Sequence, residues 1–238
     1  MFGWQMRGRW YGGVLPPGGG DVADYITATE LKLRIEKTLT DDDALLAVLV
    51  TAASRAVDGF CNRPDGFVAL TNATARVYVG RGLPYLYIDE TPAITAVAVK
   101  TGMEDVAYVA WVSPTALVQG DWVAFRGEWE EPDFNGTPYQ GIMVTPAGDY
   151  SSFLDGIRSG SSIPTVQVTG KWGYATTVPP VVKEATGIIA ARWYKRGQSA
   201  WADTMAMAEF GIAEFRKIVD PDVQFMLSLN RLVRPVTY

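Results

Sequence analysis

The segment that decides the fold is TVQVTGKWGYATTVPPVVKEATGIIAARWYKR, residues 165–196. At its start Val166 and Val168 alternate with polar residues, which is the period of a strand with one buried face. Pro180 is well placed as the first residue of a helix, and apolar residues recur at helical spacing over Val181–Trp193. The segment therefore predicts a strand that is followed directly by a helix.

Helix signals also precede this segment. Thr27 and Glu30 have the spacing of a capping box, which predicts a short helix that continues through Leu39. Asp41 is predicted to cap a second helix over residues 42–61. Its predicted buried stripe consists of Leu45, Leu46, Leu49, Ala52, Ala53, Ala56, Val57 and Phe60.

Between the helices the apolar residues recur with a period of two. Short segments of this kind, separated by Gly, Pro and Asn turn signals, indicate a small antiparallel sandwich or barrel-like domain. Residues 127–137 and 146–164 are predicted to be long loops. The candidate strands are Arg76–Val79, Tyr85–Ile88, Ile94–Lys100, Ala107–Trp111, Trp122–Phe125, Gln140–Val144 and Thr165–Lys171.

The pattern of the C-terminal residues also predicts helices, so we predict an α+β fold. Asp220 and Pro221 introduce a last helix, and the apolar segment before it, residues 200–219, has a helical pattern that breaks near Gly211. The expected architecture is a helical bundle formed by the N- and C-terminal helices with an inserted antiparallel β domain. The predicted parts are an N-terminal arm at 1–24, helices at 25–66, the β domain at 67–175, and helices with an extended tail at 176–238.

The amino-acid composition argues against several classes of function. The 238 residues carry a formal net charge of −5, which argues against simple coating of nucleic acid. Histidine is absent, so the commonest general base and metal ligand is missing, and we expect neither a metal nor a cofactor. The single cysteine, Cys61, is expected to be a buried structural thiol. No segment has the length of a membrane span or the apolar core of a signal peptide, so we expect a soluble protein without a membrane partner.

Two groups of residues could form a catalytic or a binding site. Glu128, Glu130, Glu131 and Asp133 could hold a carboxylate pair for glycoside hydrolysis, although clustered acids on a loop more often form a solvated surface. Aromatic side chains of the β region could stack on sugars and make the chain a carbohydrate-binding module. The residues in question are Trp111, Trp122, Trp129 and Trp172.

The serial order of features resembles the head–tail connector (adaptor) proteins of tailed bacteriophages, over residues 25–234. The segments that carry this resemblance are Tyr25–Thr27 with Leu31-Lys32, Asp42-Asp43 with Leu45-Leu46, Ala52–Ser54, Val57-Asp58, Cys61–Arg63, Val168–Tyr174, Val178–Ala185, Ala190–Arg192, Lys195-Arg196 and Asp220–Val223.

The resemblance implies a virion structural protein rather than an enzyme. Members of that family form a ring, usually of twelve subunits, beneath the portal in the virion neck. Double-stranded DNA passes through the ring without sequence-specific binding, and a neck or tail-completion protein docks below. The protein would be made in the host bacterial cytoplasm. The residues that we expect at the portal are Arg231, Arg234, Pro235 and Tyr238.

Lateral contacts within such a ring require apolar surface. The Met- and Trp-rich segment that begins at Trp201 could supply it, and the N-terminal arm is either a flexible leader or a segment that docks on a neighbouring subunit. The alternatives are a carbohydrate-binding module, another tail structural protein, or a hydrolase that uses the acidic loop. The candidate inter-subunit residues are Trp4, Trp10, Trp201, Met205 and Phe210.

Overall fold

The computed structural model describes residues 23–115, 120–198, 204–207, 211–214, 220–230 and 232–234. These residues form helices and antiparallel sheets, which confirms the α+β prediction. The chain divides into two compact units. The terminal unit comprises Met1–Phe67 and Val178–Tyr238, and the central unit comprises Val68–Thr177.

The described helices all belong to the terminal unit. They are α1 (Ala28–Arg34), α2 (Asp43–Phe60), α3 (Pro180–Gln198) and α4 (Pro221–Leu229). Helix α3 packs against the other three helices. It begins at Pro180, as its sequence predicts, because a proline there lacks only an N–H group that would have no partner within the helix. The side chains buried between the helices include Leu31, Leu46, Val50, Ala53, Val57, Val182, Ala185, Ile189, Val223 and Leu227.

The N-terminal capping box is confirmed, but α1 is shorter than predicted. The Thr27 hydroxyl accepts a hydrogen bond from the Glu30 amide at 3.1 Å, and the Glu30 carboxylate accepts one from the Thr27 amide at 2.8 Å. The helix ends at Arg34, and Glu36 follows with a φ of 55°. A residue in this left-handed conformation cannot continue a right-handed helix, so Leu39 lies beyond it.

The prediction that Asp41 caps α2 is wrong. The N-cap residue is Asp42, and its side chain makes no capping hydrogen bond. Its carboxylate instead forms an ion pair with Lys37 and accepts a 2.6 Å hydrogen bond from the Tyr194 hydroxyl. Asp43 pairs with Lys32 at 2.6 Å. These acidic side chains therefore join α2 to α1 and α3, because cations and a hydroxyl from those elements reach them.

All seven predicted strands of the central unit are present. Two further short strands, Ile157–Arg158 and Ser161–Ser162, lie within residues 146–164, which were predicted to be a long loop. Ser159 and Gly160 turn the chain between them with φ values of 49° and 83°. The strands are β1 (Thr74–Tyr78), β2 (Tyr85–Thr91), β3 (Ala93–Val99), β4 (Val109–Ala110), β5 (Trp122–Phe125), β6 (Tyr139–Val144), β7 (Ile157–Arg158), β8 (Ser161–Ser162) and β9 (Val166–Lys171).

Two antiparallel sheets share the core of the central unit. One sheet has the order β1-β9-β3-β4 and the other the order β2-β6-β5. Only Pro92 separates β2 from β3, so the chain passes from one sheet to the other without a loop. Strand β9 alternates buried and half-buried residues, as its sequence predicts. The core contains residues of both sheets, among them Ile88, Val97, Trp122, Ile142, Phe153, Val166, Val168 and Trp172.

The apolar segment between α3 and α4 differs from the predicted helical arrangement. It contains a two-stranded antiparallel hairpin, β10 (Thr204–Met207) and β11 (Gly211–Glu214). Gly211, which interrupts the helical pattern in the sequence, is the first residue of β11. Glycine is a poor helix former, so Gly211 weakens a continuous helix at this position.

A buried polar network joins the segment before α1 to the end of α2. The Tyr25 hydroxyl donates a hydrogen bond to the Asp58 carboxylate and accepts one from the Phe67 amide at 2.8 Å. Arg55 pairs with Asp58 at 3.3 Å. Burial raises the pKa of Asp58, although the Tyr25 hydrogen bond and the positive charge of Arg55 act in the opposite direction. The network thus contains a carboxylate whose charged form is disfavoured.

Replacing Asp58 with asparagine should change the pH dependence of stability. Because the folded pKa is raised, the carboxyl group contributes stability that is complete below the unfolded pKa, about 3.9, and is lost as the pH rises through the folded value. Asparagine stays neutral and can accept the Tyr25 hydrogen bond. Relative to wild type, Asp58→Asn should therefore gain stability when the pH is raised from about 4 toward neutrality, measured by urea unfolding.

The control is Asp58→Ala, which removes the acceptor. It should lose about 1–3 kcal/mol of unfolding free energy because the buried Tyr25 hydroxyl loses its partner. A constant difference between wild type and Asp58→Asn across this pH range would contradict the prediction.

Candidate functional site

The chain that leads into the C-terminal tail, Pro235–Tyr238, is held at the end of α2. The Arg63 Nε donates a hydrogen bond to the Leu232 carbonyl at 2.9 Å, and the Arg234 amide donates one to the Cys61 carbonyl at 3.0 Å. Arg63 and Leu232 are both 4% exposed. The start of the tail is therefore held by residues at the C-terminal end of α2, although these residues lie far earlier in the chain.

Aromatic packing and burial surround this attachment. The Arg63 guanidinium lies 5.1 Å from the centroid of the Phe67 ring, which meets the Tyr25 ring edge-on at 5.8 Å. Cys61 is fully buried, as predicted, and burial raises the pKa of its thiol to about 12. The thiol is therefore protonated and unreactive near neutral pH, which fits a structural role.

Arg63→Lys should loosen this attachment although it keeps the charge. Lysine cannot place a planar N–H group against the Leu232 carbonyl while stacking on Phe67. We expect the Arg234 amide to exchange its hydrogen about 10–100-fold faster, as expected for the loss of one charge-assisted hydrogen bond. The measurement is hydrogen–deuterium exchange at neutral pH. Arg126→Lys, on an exposed side chain of the central unit, is the control, and unchanged exchange in Arg63→Lys would contradict the assignment.

Of the predicted portal residues, the structure gives Arg234 a defined backbone partner. Arg231, Pro235 and Tyr238 lie outside the described residues. The same is true of four of the predicted inter-subunit residues, namely Trp4, Trp10, Trp201 and Phe210. The fifth, Met205, lies in β10 opposite Ala213. These assignments stay predictions.

The expected display of tryptophans for sugar binding is wrong for three of the four. Trp111, Trp122 and Trp172 are at most 6% exposed. Trp111 stacks on Tyr150 at 4.3 Å and on Phe153 at 5.1 Å, so its faces are covered by the protein itself. Trp129 is 39% exposed and stacks on Tyr85 at 4.7 Å. A small β domain needs large apolar side chains to fill its core, and these tryptophans serve that need.

The acidic loop is solvated and partly used in local hydrogen bonds. Glu128, Glu130, Glu131 and Asp133 are all exposed. Asp133 accepts hydrogen bonds from the Asn135 and Gly136 amides at 3.0 and 2.9 Å, which closes a turn. Glu128 accepts a hydrogen bond from the Tyr87 hydroxyl at 2.7 Å. Across the described part of the chain, no three His, Cys, Asp or Glu side chains are grouped to hold a metal ion.

Helix α2 exposes apolar side chains that the sequence assigned to its buried stripe. Leu46, Ala53 and Val57 are buried as predicted, but Leu45 is 50% exposed. Val48, which was not in the predicted stripe, is 64% exposed. The helix is apolar on two faces, so its periodicity alone did not show which face lies inward. No described helix is long and apolar enough to cross a membrane.

Comparison with known proteins gives structural likenesses, among them two to chains of gene transfer agent particles. No protein-family model matches the chain, and no curated protein matches it. One similar solved chain comes from the neck of an empty gene transfer agent (GTA) particle computed with C6 symmetry. It is 16% identical, with a TM-score of 0.49, and the match covers 90% of this chain and 93% of that one.

A second similar chain comes from the virion of a native gene transfer agent particle. It is also 16% identical, with a TM-score of 0.45 and the same coverage of both chains, 90% and 93%. At this identity and these TM-scores, the likenesses assign neither a family nor a function to this chain.

Proposed function

We propose that this chain is a structural protein of a phage-like virion neck, and that it is the subunit of a head–tail connector ring. One observation carries the proposal. Helices from both ends of the chain belong to one compact unit, and a β unit is inserted between α2 and α3. This is the order implied by the resemblance to head–tail connectors that residues 25–234 display.

The proposed assembly is a homo-oligomeric ring, 12-fold by analogy with that family, beneath the portal. It joins the capsid vertex to a neck or tail-completion protein and forms part of the DNA channel. The net charge of −5 suits a conduit through which double-stranded DNA passes without sticking. The proposal includes neither a catalytic role nor a cofactor, and it places the protein in the virion after synthesis in the host cytoplasm.

The tail is the proposed portal contact, through Arg231, Arg234, Pro235 and Tyr238. Supporting this, the Arg63 and Cys61 contacts hold Leu232 and Arg234 at the end of α2. A segment whose starting point is held in this way loses less entropy on binding than a freely moving one. The proposed lateral contacts use Trp4, Trp10, Trp201, Met205 and Phe210.

The test has two readouts on the purified chain. Negative-stain imaging over a concentration series should show closed rings with a central hole wide enough for duplex DNA, and co-sedimentation with the portal should show binding. Failure of both ring formation and portal binding would overturn the proposal.

A variant that ends at Arg234 tests the tail separately. It should lose portal binding while its fold, measured by circular dichroism, is unchanged. The matched control is Trp129→Ala, which removes an exposed aromatic of the central unit and should bind the portal normally. Normal portal binding by the shortened chain would remove the tail from the interface without removing the ring.

A further inference from the structure

Helix α2 presents an apolar face to solvent in the isolated chain. Leu45 and Val48 are 50% and 64% exposed, and Ala52 extends the same face one turn further. No charged residue occurs in residues 44–54. A helix face that stays in water normally carries charged and polar side chains, so this face has the composition of one that is covered.

The last residues of the N-terminal arm are attached to the same helix. The Thr51 hydroxyl donates a hydrogen bond to the Asp24 carboxylate at 2.8 Å, and the Arg55 guanidinium donates one to the Ala23 carbonyl at 2.9 Å. Thr51 lies three residues after Val48 and directly before Ala52. In every copy of the chain, the arm therefore starts beside an exposed apolar face.

The arm has the composition to cover such a face. It carries Trp4, Trp10, Tyr11, Val14 and Leu15, and the charged residues before Asp21 are Arg7 and Arg9 alone. Arm and face therefore match in apolar character.

We propose that the arm of one copy docks its aromatic residues on the α2 face, Leu45, Val48 and Ala52, of the neighbouring copy. This inference rests on the proposed ring. Trp10 precedes Ala23 by 13 residues (23 − 10), which in an extended chain span about 43 Å. A small domain is about 30 Å across. Pro16-Pro17 favours extended backbone, so the arm is long enough to reach beyond its own subunit.

Cysteine crosslinking tests which copies are joined. The double variant Trp10→Cys with Val48→Cys should give a ladder of crosslinked oligomers when rings are treated with a short bismaleimide. The native Cys61 is buried and should not react. Trp10→Cys with Val106→Cys is the control, because Val106 is 92% exposed on the central unit. Crosslinked monomers without a ladder, or equal ladders in the control, would overturn the proposal.

A second experiment measures what the contact contributes. Leu45→Lys with Val48→Lys, and separately removal of residues 1–20, should each raise the concentration at which rings half-dissociate about 10–100-fold, with no further rise on combination. Both changes lie on exposed or terminal positions, and thermal unfolding checks the fold. If wild type forms no rings, the proposed function fails. If wild type forms rings that both variants leave unchanged, the docking fails alone.

Discussion

Replacing Trp172 with alanine should reduce the unfolding free energy of the central unit by about 3–5 kcal/mol. Trp172 is fully buried and is among the largest buried side chains of the described residues. Its indole Nε1 donates a hydrogen bond to the Thr74 carbonyl at 2.9 Å, and its ring lies 4.6 Å from the Arg76 guanidinium. Alanine leaves a cavity and removes this hydrogen bond, and the two costs add.

The cavity and the hydrogen bond can be separated by a second substitution. Trp172→Phe keeps much of the apolar volume and should lose about 0.5–1.5 kcal/mol, chiefly from the lost hydrogen bond to Thr74. Trp129→Ala, at a residue that is 39% exposed, should lose about 0.5–1.5 kcal/mol. The measurement is urea unfolding, with hydrogen exchange of the β9 amides to assign the transition. A loss below about 1 kcal/mol in Trp172→Ala would contradict this account.

Gly141→Ala should cost about 3 kcal/mol, although it adds a single methyl group. Gly141 lies opposite Phe125 in the β5–β6 pair, and the Phe125 ring covers it. A Cβ atom at Gly141 would lie 2.5 Å from Cε1 of that ring. Phe125 is fully buried, so the ring has no free volume into which it can move.

Two further variants show whether this overlap is the cause. Gly141→Ala combined with Phe125→Leu should lose at least about 1 kcal/mol less than the sum of the single losses, because the ring that obstructs the methyl group is gone. Gly59→Ala, with nothing within 4 Å of its Cβ, should instead stabilise α2 by about 0.5–1 kcal/mol. Additive losses in the double variant would show that the Phe125 ring is not the obstacle.

Helix α2 anchors both segments to which we assign interactions. Thr51 and Arg55 hold the end of the N-terminal arm, and Arg63 and Cys61 hold the approach to the C-terminal tail. The first attachment lies within α2, and the second lies just beyond its last residue, Phe60. In a connector subunit, the arm would contact a lateral neighbour and the tail would contact a portal. Helix α2 and the residues that follow it would then position both contacts.

Local sequence was sufficient for most of the secondary structure. The Thr27 capping box, the Pro180 start of α3 and the Asp220-Pro221 start of α4 all occur as predicted. All seven predicted strands are present. These signals act within one or two turns of helix or along a single strand, so residues close in sequence determine them.

The tertiary structure alone decided which apolar side chains are covered and what the polar ones bind. Leu45 and Leu46 are adjacent and chemically identical, yet one is 50% exposed and the other fully buried, because packing of α2 against α3 selects one face. Three of the four candidate tryptophans became core for the same reason. Arg63 and Leu232, which hold the tail, are 169 residues apart. Such contacts depend on where whole elements meet, and no local pattern specifies that.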